Sequence, residues 1–202
     1  MKKVLCATSN QWKADLYRYL FDTVGLKMVS LADLPGENND RPIENGDSVI
    51  ENAMIKARHY WSTEHPLVFA DDTGLEITAL NGEPGVKMGR WGGLFDDDID
   101  ERIWVGYLLG RLDGVPFEKR TACLIDAWAL IDAEGREYTR EIRANFKIAE
   151  EIVSPVVPGS PITSVAVGLP ESRDELLEVA RQKFHQWNHI WNSIKGGNDE
   201  HR

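Results

Sequence analysis

The chain has 202 residues, 42% hydrophobic and 28% charged, the composition of a soluble globular protein large enough for a real core. Its 23 Lys and Arg face 33 Asp and Glu, a net charge of −10 (23 − 33). That balance argues against a broadly basic nucleic-acid surface and against adhesion to an anionic membrane, but not against a phosphorylated small molecule held by a local cluster.

The opening residues "MKKVLCATSNQ" start basic, yet their apolar stretch is too short for a signal peptide, and no run approaches the ~20 residues of a membrane span. "KKVLCAT" predicts a short buried strand. "NQWKADLYRYLFDTV" predicts a helix, with Trp12, Leu16, Tyr19 and Leu20 at helical spacing. "LKMVSL" reads as a second strand and "ADLPGENNDRPIENGD" as a long polar loop. "SVIENAMIKARHYWSTE" reads as a helix opened by a capping box, Ser48-x-x-Glu51. "PLVFADD" predicts a buried strand ending in paired carboxylates, "GLEITAL" another strand, and "NGEPGVKMGRWGG" a glycine-rich loop. "DDDIDERIWVGYLLGRLDG" predicts a helix with acids in its first turn.

Two further strands flank "DAEG" and predict a long hairpin. Its first arm, "RTACLIDAWALI", is apolar on both faces and so central; its second alternates Tyr138, Arg140, Ile142, Ala144, Phe146, Ile148 and so has one wet face. "SRDELLEVARQKFHQWNHIWNSI" predicts one C-terminal helix. Strands and helices interleave without strict βαβ repetition, which implies an α/β fold with a mixed sheet. No linker separates independent domains: residues 1–195 read as a single domain and 196–202 as a flexible tail. Cys6 and Cys123 sit in apolar strands with no zinc spacing, as free thiols in a reducing cytoplasm would.

Three stretches carry candidate chemistry. Asp71 and Asp72, adjacent carboxylates leaving an apolar strand, repel each other and lose solvation unless something cationic lies beside them. A simple Asp–Gly turn is the alternative. In a strand, neighbours point to opposite faces, so one of the two is expected to face a ligand. Glu44 precedes the helix capped by Ser48, and Lys56 follows about two turns in, on the face shared with Asn52; taken alone these are a loop carboxylate and a solvated helix charge. Thr8, Ser9, Asn10 and Lys13 form a strand-to-helix turn, which is a plain N-cap or, with its free N–H groups and a lysine, an anion site. It is no P-loop, since G-x-x-x-x-G-K-[ST] occurs nowhere. His185 and His189 stand four apart without H-E-x-x-H. Magnesium plus a polyphosphate would account for the whole set, because Mg²⁺ favours carboxylate and phosphate oxygens.

At this point the sequence resembles the inosine triphosphate pyrophosphatase family. The family's T-x-N-x-x-K turn matches Thr8, Asn10 and Lys13. Its E-x-G-x-[ST]-x-x-E-N-A-x-x-K-A segment matches "ENGDSVIENAMIKA", 44–57. Its [DE]-D-[ST]-G-L matches "DDTGL", 71–75, and its G-x-P-G-x-x-x-x-R-[YW]-x-G matches "GEPGVKMGRWGG", 82–93. The resemblance implies an elongated mixed β-sheet with flanking helices, two lobes around a central nucleotide cleft, and a homodimer. It implies a Mg²⁺-dependent enzyme cleaving nucleoside triphosphates such as ITP, dITP and XTP, or another modified nucleotide, to monophosphate and pyrophosphate. Asp72 becomes general base and metal ligand, and Glu44 the other metal ligand. Lys13, catalytic as well, joins Lys56, Thr8, Ser9 and Asn10 on the triphosphate, with Thr73 touching the ligand.

The chain departs from the family at its base-reading motifs. No F-G-[YW]-D-P occurs; "SPVVPGSPITSVAVG", 154–168, stands there instead. The S-H-R motif corresponds at best to "FHQ", 184–186, which keeps His185 as a base contact and puts Gln186 where Arg is expected. An amide does not reproduce the fixed fork of a guanidinium, so altered base selectivity is expected. Trp187 and Trp91 are candidate stacking residues. A Maf-like pyrimidine or modified-nucleotide pyrophosphatase, or a non-catalytic nucleotide-binding protein, are the alternatives.

Overall fold

The computed structural model describes residues 1–34, 41–96, 99–170 and 172–196. The strands are β1 (Lys3–Cys6), β2 (Lys27–Ser30), β3 (Val68–Ile77), β4 (Pro84–Gly85), β5 (Thr121–Ile131), β6 (Glu137–Ile148) and β7 (Ala166–Val167). The helices are α1 (Gln11–Thr23), α2 (Val49–Tyr60), α3 (Glu101–Arg111), α4 (Arg173–His185) and α5 (Asn188–Gly196). The sheet order is β2-β1-β3-β5-β6-β7, with β4 added to β3. β1 lies parallel to both β2 and β3, and every other pairing is antiparallel, so the sheet is mixed as the sequence predicts.

β5 is apolar on both faces because both are covered. Trp128 and Leu130 join a core with α1, α4 and α5, built around Phe21, Phe69, Phe184 and Trp191. Ile125, Ala127, Ala129 and Ile131 join the opposite core, under α2. A third core gathers Leu75, Ile77, Phe146 and Ile148 under Trp104, Val105 and Leu108 of α3.

Three expectations change. "PLVFADD" and "GLEITAL" are not two strands: β3 runs unbroken from Val68 to Ile77, so Asp71 and Asp72 lie mid-strand. The cause is β5, which pairs with every residue from Val68 to Ile77 and carries the ladder through Gly74. The C-terminal helix is also two helices. It breaks at Gln186 and Trp187, which turns Trp187, Ile190, Trp191 and Ile194 into the α1 core; Trp191 Nε1 closes the bend on the Phe184 carbonyl at 3.1 Å. α3 starts only at Glu101, after Asp100 caps it through the Arg102 N–H at 2.8 Å. Of the acidic run before it, residues 97–98 lie outside the described residues, as do 35–40 of the polar loop and 197–202 of the tail.

One consequence of this topology places the site. Along one edge β3 is fully paired with β5. On its other edge β1 takes Val68 and Phe69, and β4 takes Leu75 and Glu76. Among the described residues no strand covers Ala70 to Gly74 on that side. At such a gap, side chains from both faces of the strand are reachable from one opening.

Candidate active site

The chain leaves β1 through Ala7, whose N–H donates to the Phe69 carbonyl at 2.8 Å, and turns at the gap. Thr8 is buried and its hydroxyl accepts the Asn10 N–H at 3.2 Å. Ser9 is exposed. Asn10 caps α1, its Oδ1 accepting the Lys13 N–H at 3.1 Å. One turn in, Lys13 Nζ donates to Asp71 and, at 2.9 Å, to Thr73 Oγ1. Thr73 in turn donates to Asp126 Oδ1 at 2.9 Å.

The opposite face is built from α2. Ser48 caps the helix by accepting the Glu51 N–H at 3.2 Å, while the Glu51 carboxylate accepts from Asp47 one residue earlier than a standard capping box would place it. Lys56 Nζ donates to Asp72 Oδ1 at 2.8 Å and reaches Glu44 Oε2 at 3.0 Å. Asn52, one turn before Lys56, donates to Asp72 Oδ2 at 3.3 Å and accepts the Gly46 N–H at 2.8 Å. That approach needs glycine: a Cβ at position 46 would lie 2.8 Å from Asn52 Oδ1 and 2.7 Å from Glu51 Cβ. The Glu44 loop is thus pinned to Asp72 through Asn52.

Exposure grades outward, from 2% for the Asp71 side chain through 13% for Asp72 to 40% for Glu44, so Glu44 stands at the mouth. Burial works against the charge of Lys56, but Asp72, Asp71 and Glu44 outweigh it and hold the ammonium above its usual range. Lys13 behaves alike: burial lowers it, Asp71 raises it further, and its net shift is upward. Burial pushes the Asp72 carboxyl up, with Lys56 opposing only in part. A carboxylate so raised is a better proton acceptor near neutral pH than a free one.

The structure therefore brings Thr8, Ser9, Asn10, Lys13, Lys56, Glu44, Asp72 and Thr73 to one opening. It also brings in Asn52 and Asp126, to which no role was assigned, and gives a part to both aspartates of the pair where one was expected to face a ligand. Asp71 is used as fully as Asp72, one on each face. Asn52 had a signal, lying four before Lys56 on the same helix face. Asp126 had one too, as the single acid in the apolar strand "TACLIDAWALI".

His185 is not brought there. Its Nε2 lies 3.0 Å from Thr23 Oγ1, at the far end of α1 and roughly 15 Å along the helix from Lys13. Phe184, the buried neighbour, dictates this by turning His185 outward. Gln186 accepts from Arg140. His189 falls on the next helix, which ends any helical pairing with His185. Trp187 packs in the α1 core against Trp128 and Trp191, and Trp91 lies edge-on to Trp104 and Tyr107 in the third core, so neither indole faces the opening. Segment 154–168 does reach the site. The Gly159 carbonyl accepts from Asn10 Nδ2 at 2.9 Å, and its N–H donates to Glu101 Oε1 at 2.6 Å. Gly159 has φ +84°, and a Cβ there would lie 2.5 Å from Asn10 Oδ1, so no other residue fits.

The sequence profile of the Ham1 family matches residues 4–156. The chain belongs to the Ham1 family. A dITP/XTP pyrophosphatase of Mycobacteroides abscessus is 39% identical over 190 residues, 89% of this chain and 90% of that protein. One from Listeria monocytogenes is 33% identical over 201 residues, 96% and 92% of the two chains. The crystal structure of a nucleoside-triphosphatase, or dITP/XTP pyrophosphatase, from Mycobacterium abscessus superposes with a TM-score of 0.65 at 30% identity, over 93% of this chain and 98% of that one. The structure of a HAM1 protein from Coxiella burnetii gives a TM-score of 0.73 at 22% identity, over 96% and 100%, and shares the Ham1 fold. No helix among the described residues is long and apolar enough to cross a membrane.

Proposed function

We propose that this Ham1-family chain is a Mg²⁺-dependent nucleoside triphosphate pyrophosphatase, releasing pyrophosphate and a nucleoside monophosphate. The observation that carries the reading is the pair of lysine–carboxylate sets on consecutive residues of β3, Lys13 on Asp71 and Lys56 on Asp72. The dITP/XTP pyrophosphatases to which it is similar support the same reaction class.

Two carboxylates, Glu44 and Asp72, fit a divalent cation whose other ligands are phosphate and water oxygens, and the charge around them favours one. Glu44, Asp71, Asp72 and Asp126 place four negative charges against the two of Lys13 and Lys56, leaving the opening two charges short of neutral (2 − 4 = −2). Glu44 and Asp72 already converge on one cation, the Lys56 ammonium, and would hold Mg²⁺, with water and phosphate oxygens completing its shell. Bound there, Mg²⁺ supplies charge neutralisation on the phosphate chain.

The protein's own groups do the rest. Lys13 and Lys56 hold the triphosphate and stabilise the charge that builds up on it as the bond to the leaving pyrophosphate breaks. The Thr8–Asn10 turn adds backbone N–H groups at the start of α1. Asp72 orients a water for in-line attack at the α-phosphorus and takes its proton; the pair of electrons in the α–β bridge leaves with pyrophosphate. The rewritten C-terminal third supports a change in base selectivity, because the residues at S-H-R do not face the opening. Two free cysteines accord with a cytoplasmic setting, and a homodimer completes the proposal.

The test is a panel of nucleoside triphosphates with Mg²⁺, scored for pyrophosphate. Release from at least one nucleotide, lost without Mg²⁺, is expected. Binding without release from any would favour a non-catalytic nucleotide-binding protein, and release of orthophosphate would assign a different bond.

A further inference from the structure

An ammonium has three N–H donors and no acceptor. In Lys13 one donor goes to Asp71 and one to Thr73 Oγ1 at 2.9 Å, which leaves one for a ligand. Thr73 receives from Lys13 through a lone pair, so its own hydrogen has to point elsewhere. It points to Asp126 Oδ1, 2.9 Å away. Asp126 is directly opposite Thr73 in the β3–β5 ladder, and opposed residues share a face. Burial pushes the Asp126 carboxyl up, against the pull of Lys13 and of the Thr73 hydroxyl. A carboxylate is kept here at a desolvation cost that an apolar residue would avoid.

We propose that Asp126 is a positioning residue of the phosphate site, fixing the Thr73 hydroxyl as an acceptor so that Lys13 keeps its third N–H aimed at the phosphate chain. The inference rests on the pyrophosphatase reading and gives Thr73 a different part in it: its hydroxyl serves Lys13, not the nucleotide. One hydroxyl away from Lys13, Asp126 belongs to the phosphate end of the opening. Set behind Thr73, it supplies order without presenting a bare carboxylate to the phosphates.

The test uses the full chain with two readouts: calorimetric binding of inorganic tripolyphosphate with Mg²⁺, and pyrophosphate release from the best nucleotide. Asp126→Ala and Thr73→Val should each weaken tripolyphosphate binding and lower kcat/KM by about tenfold or more, the weight of a hydrogen bond to a charged group. Asp126→Asn, whose amide oxygen still accepts from Thr73, should recover most of the loss. In a Lys13→Ala background Asp126→Ala should add less than about twofold, because the effect runs through Lys13. An equal loss in that background would overturn the proposal. So would Asp126→Asn no better than Asp126→Ala, or wild-type values in both readouts. A changed base preference with tripolyphosphate binding intact would also overturn it, by making Asp126 a base reader. Should Asp126→Ala fail to fold, Thr73→Val and Asp126→Asn, both close to the native shape, decide the matter by the same contrast. A wild-type chain that binds tripolyphosphate but cleaves no nucleotide would overturn the pyrophosphatase reading and leave this one to the binding arm.

Discussion

The open edge of β3 and the α4–α5 bend are built from opposite materials. At the edge, buried charges hold one another: Lys13 on Asp71, Lys56 on Asp72 and Glu44, Asn52 and Thr73 closing the links. At the bend, aromatic rings hold the chain: Phe184 stacks on Trp191 at 4.8 Å, and Phe21 meets both edge-on. The first is an expensive place to keep charge and repays it only in chemistry. The second turns its polar side chains to surface contacts, His185 to Thr23 and Gln186 to Arg140. One region is thus expected to control rate and the other stability.

The sharpest break of that contrast is Asp72→Asn. It is nearly isosteric and removes charge and basicity, so kcat should fall by ~10²–10⁴ while the protein stays folded. Retention of more than about a tenth of the rate would end the general-base assignment. The converse is Trp191→Ala. Its fully buried indole should cost about 3–5 kcal/mol in urea unfolding, with the rate per folded molecule little changed.

Lys13→Ala and Lys56→Ala come next. Each should weaken triphosphate binding more than monophosphate binding, by calorimetry, since both ammonium groups are assigned to phosphates. Equal losses for the two ligands would undo that assignment. Base selectivity is a smaller effect. With no donors from an S-H-R motif at the opening, the preference for ITP over dATP, dGTP, dCTP, dTTP and UTP in kcat/KM should stay below about a hundredfold, where a hydrogen-bonding pocket reaches ~10⁴. His185→Ala should leave the ratios alone. A larger ITP preference would mean that other residues of the C-terminal third rebuild a purine pocket.

The smallest expected effect is on stability against pH in metal-free protein. Burial raises the folded-state pKa of Asp72 above its unfolded value. Below the unfolded pKa the group is neutral in both states, and wild type and Asp72→Asn should melt together. Between the unfolded and the folded pKa only the unfolded chain ionises, so the wild type loses stability relative to the Asn variant as pH rises, and the loss is complete above the folded pKa. Thermal midpoints across acid to neutral pH would read this.

What was legible in the sequence was what local spacing determines. The T-x-N-x-x-K turn, the E-N-A helix and the strand bearing Asp71 and Asp72 each keep their functional groups within a turn or two of one another, and the structure has all three elements where the spacing puts them. The hairpin followed from apolar periodicity. Long-range pairing was not legible. Nothing in "FADDTGLEI" says that β5 will carry the ladder through Gly74, or that β1 and β4 will leave residues 70–74 uncovered between them. For that reason alternation predicted one useful aspartate where the gap makes both useful. Asp126 meets Thr73 only through that same ladder. The bend at Gln186 was hidden because no Gly or Pro marks it; the burial of Trp187 and Trp191 decides it.

Lys13 and Lys56 ride on helices packed against opposite faces of the sheet, and helix packing drifts readily as sequences change. Their carboxylate anchors, however, are neighbours in one strand, joined by a single rigid peptide unit about 3.8 Å from Cα to Cα. The backbone of β3 therefore acts as a fixed ruler between the two cations. Either helix can slide or be repacked by an ångström, and its flexible lysine stem absorbs the change while the charged tip stays on its mark. Tolerance to remodelling of the surrounding cores is built into that short covalent spacing.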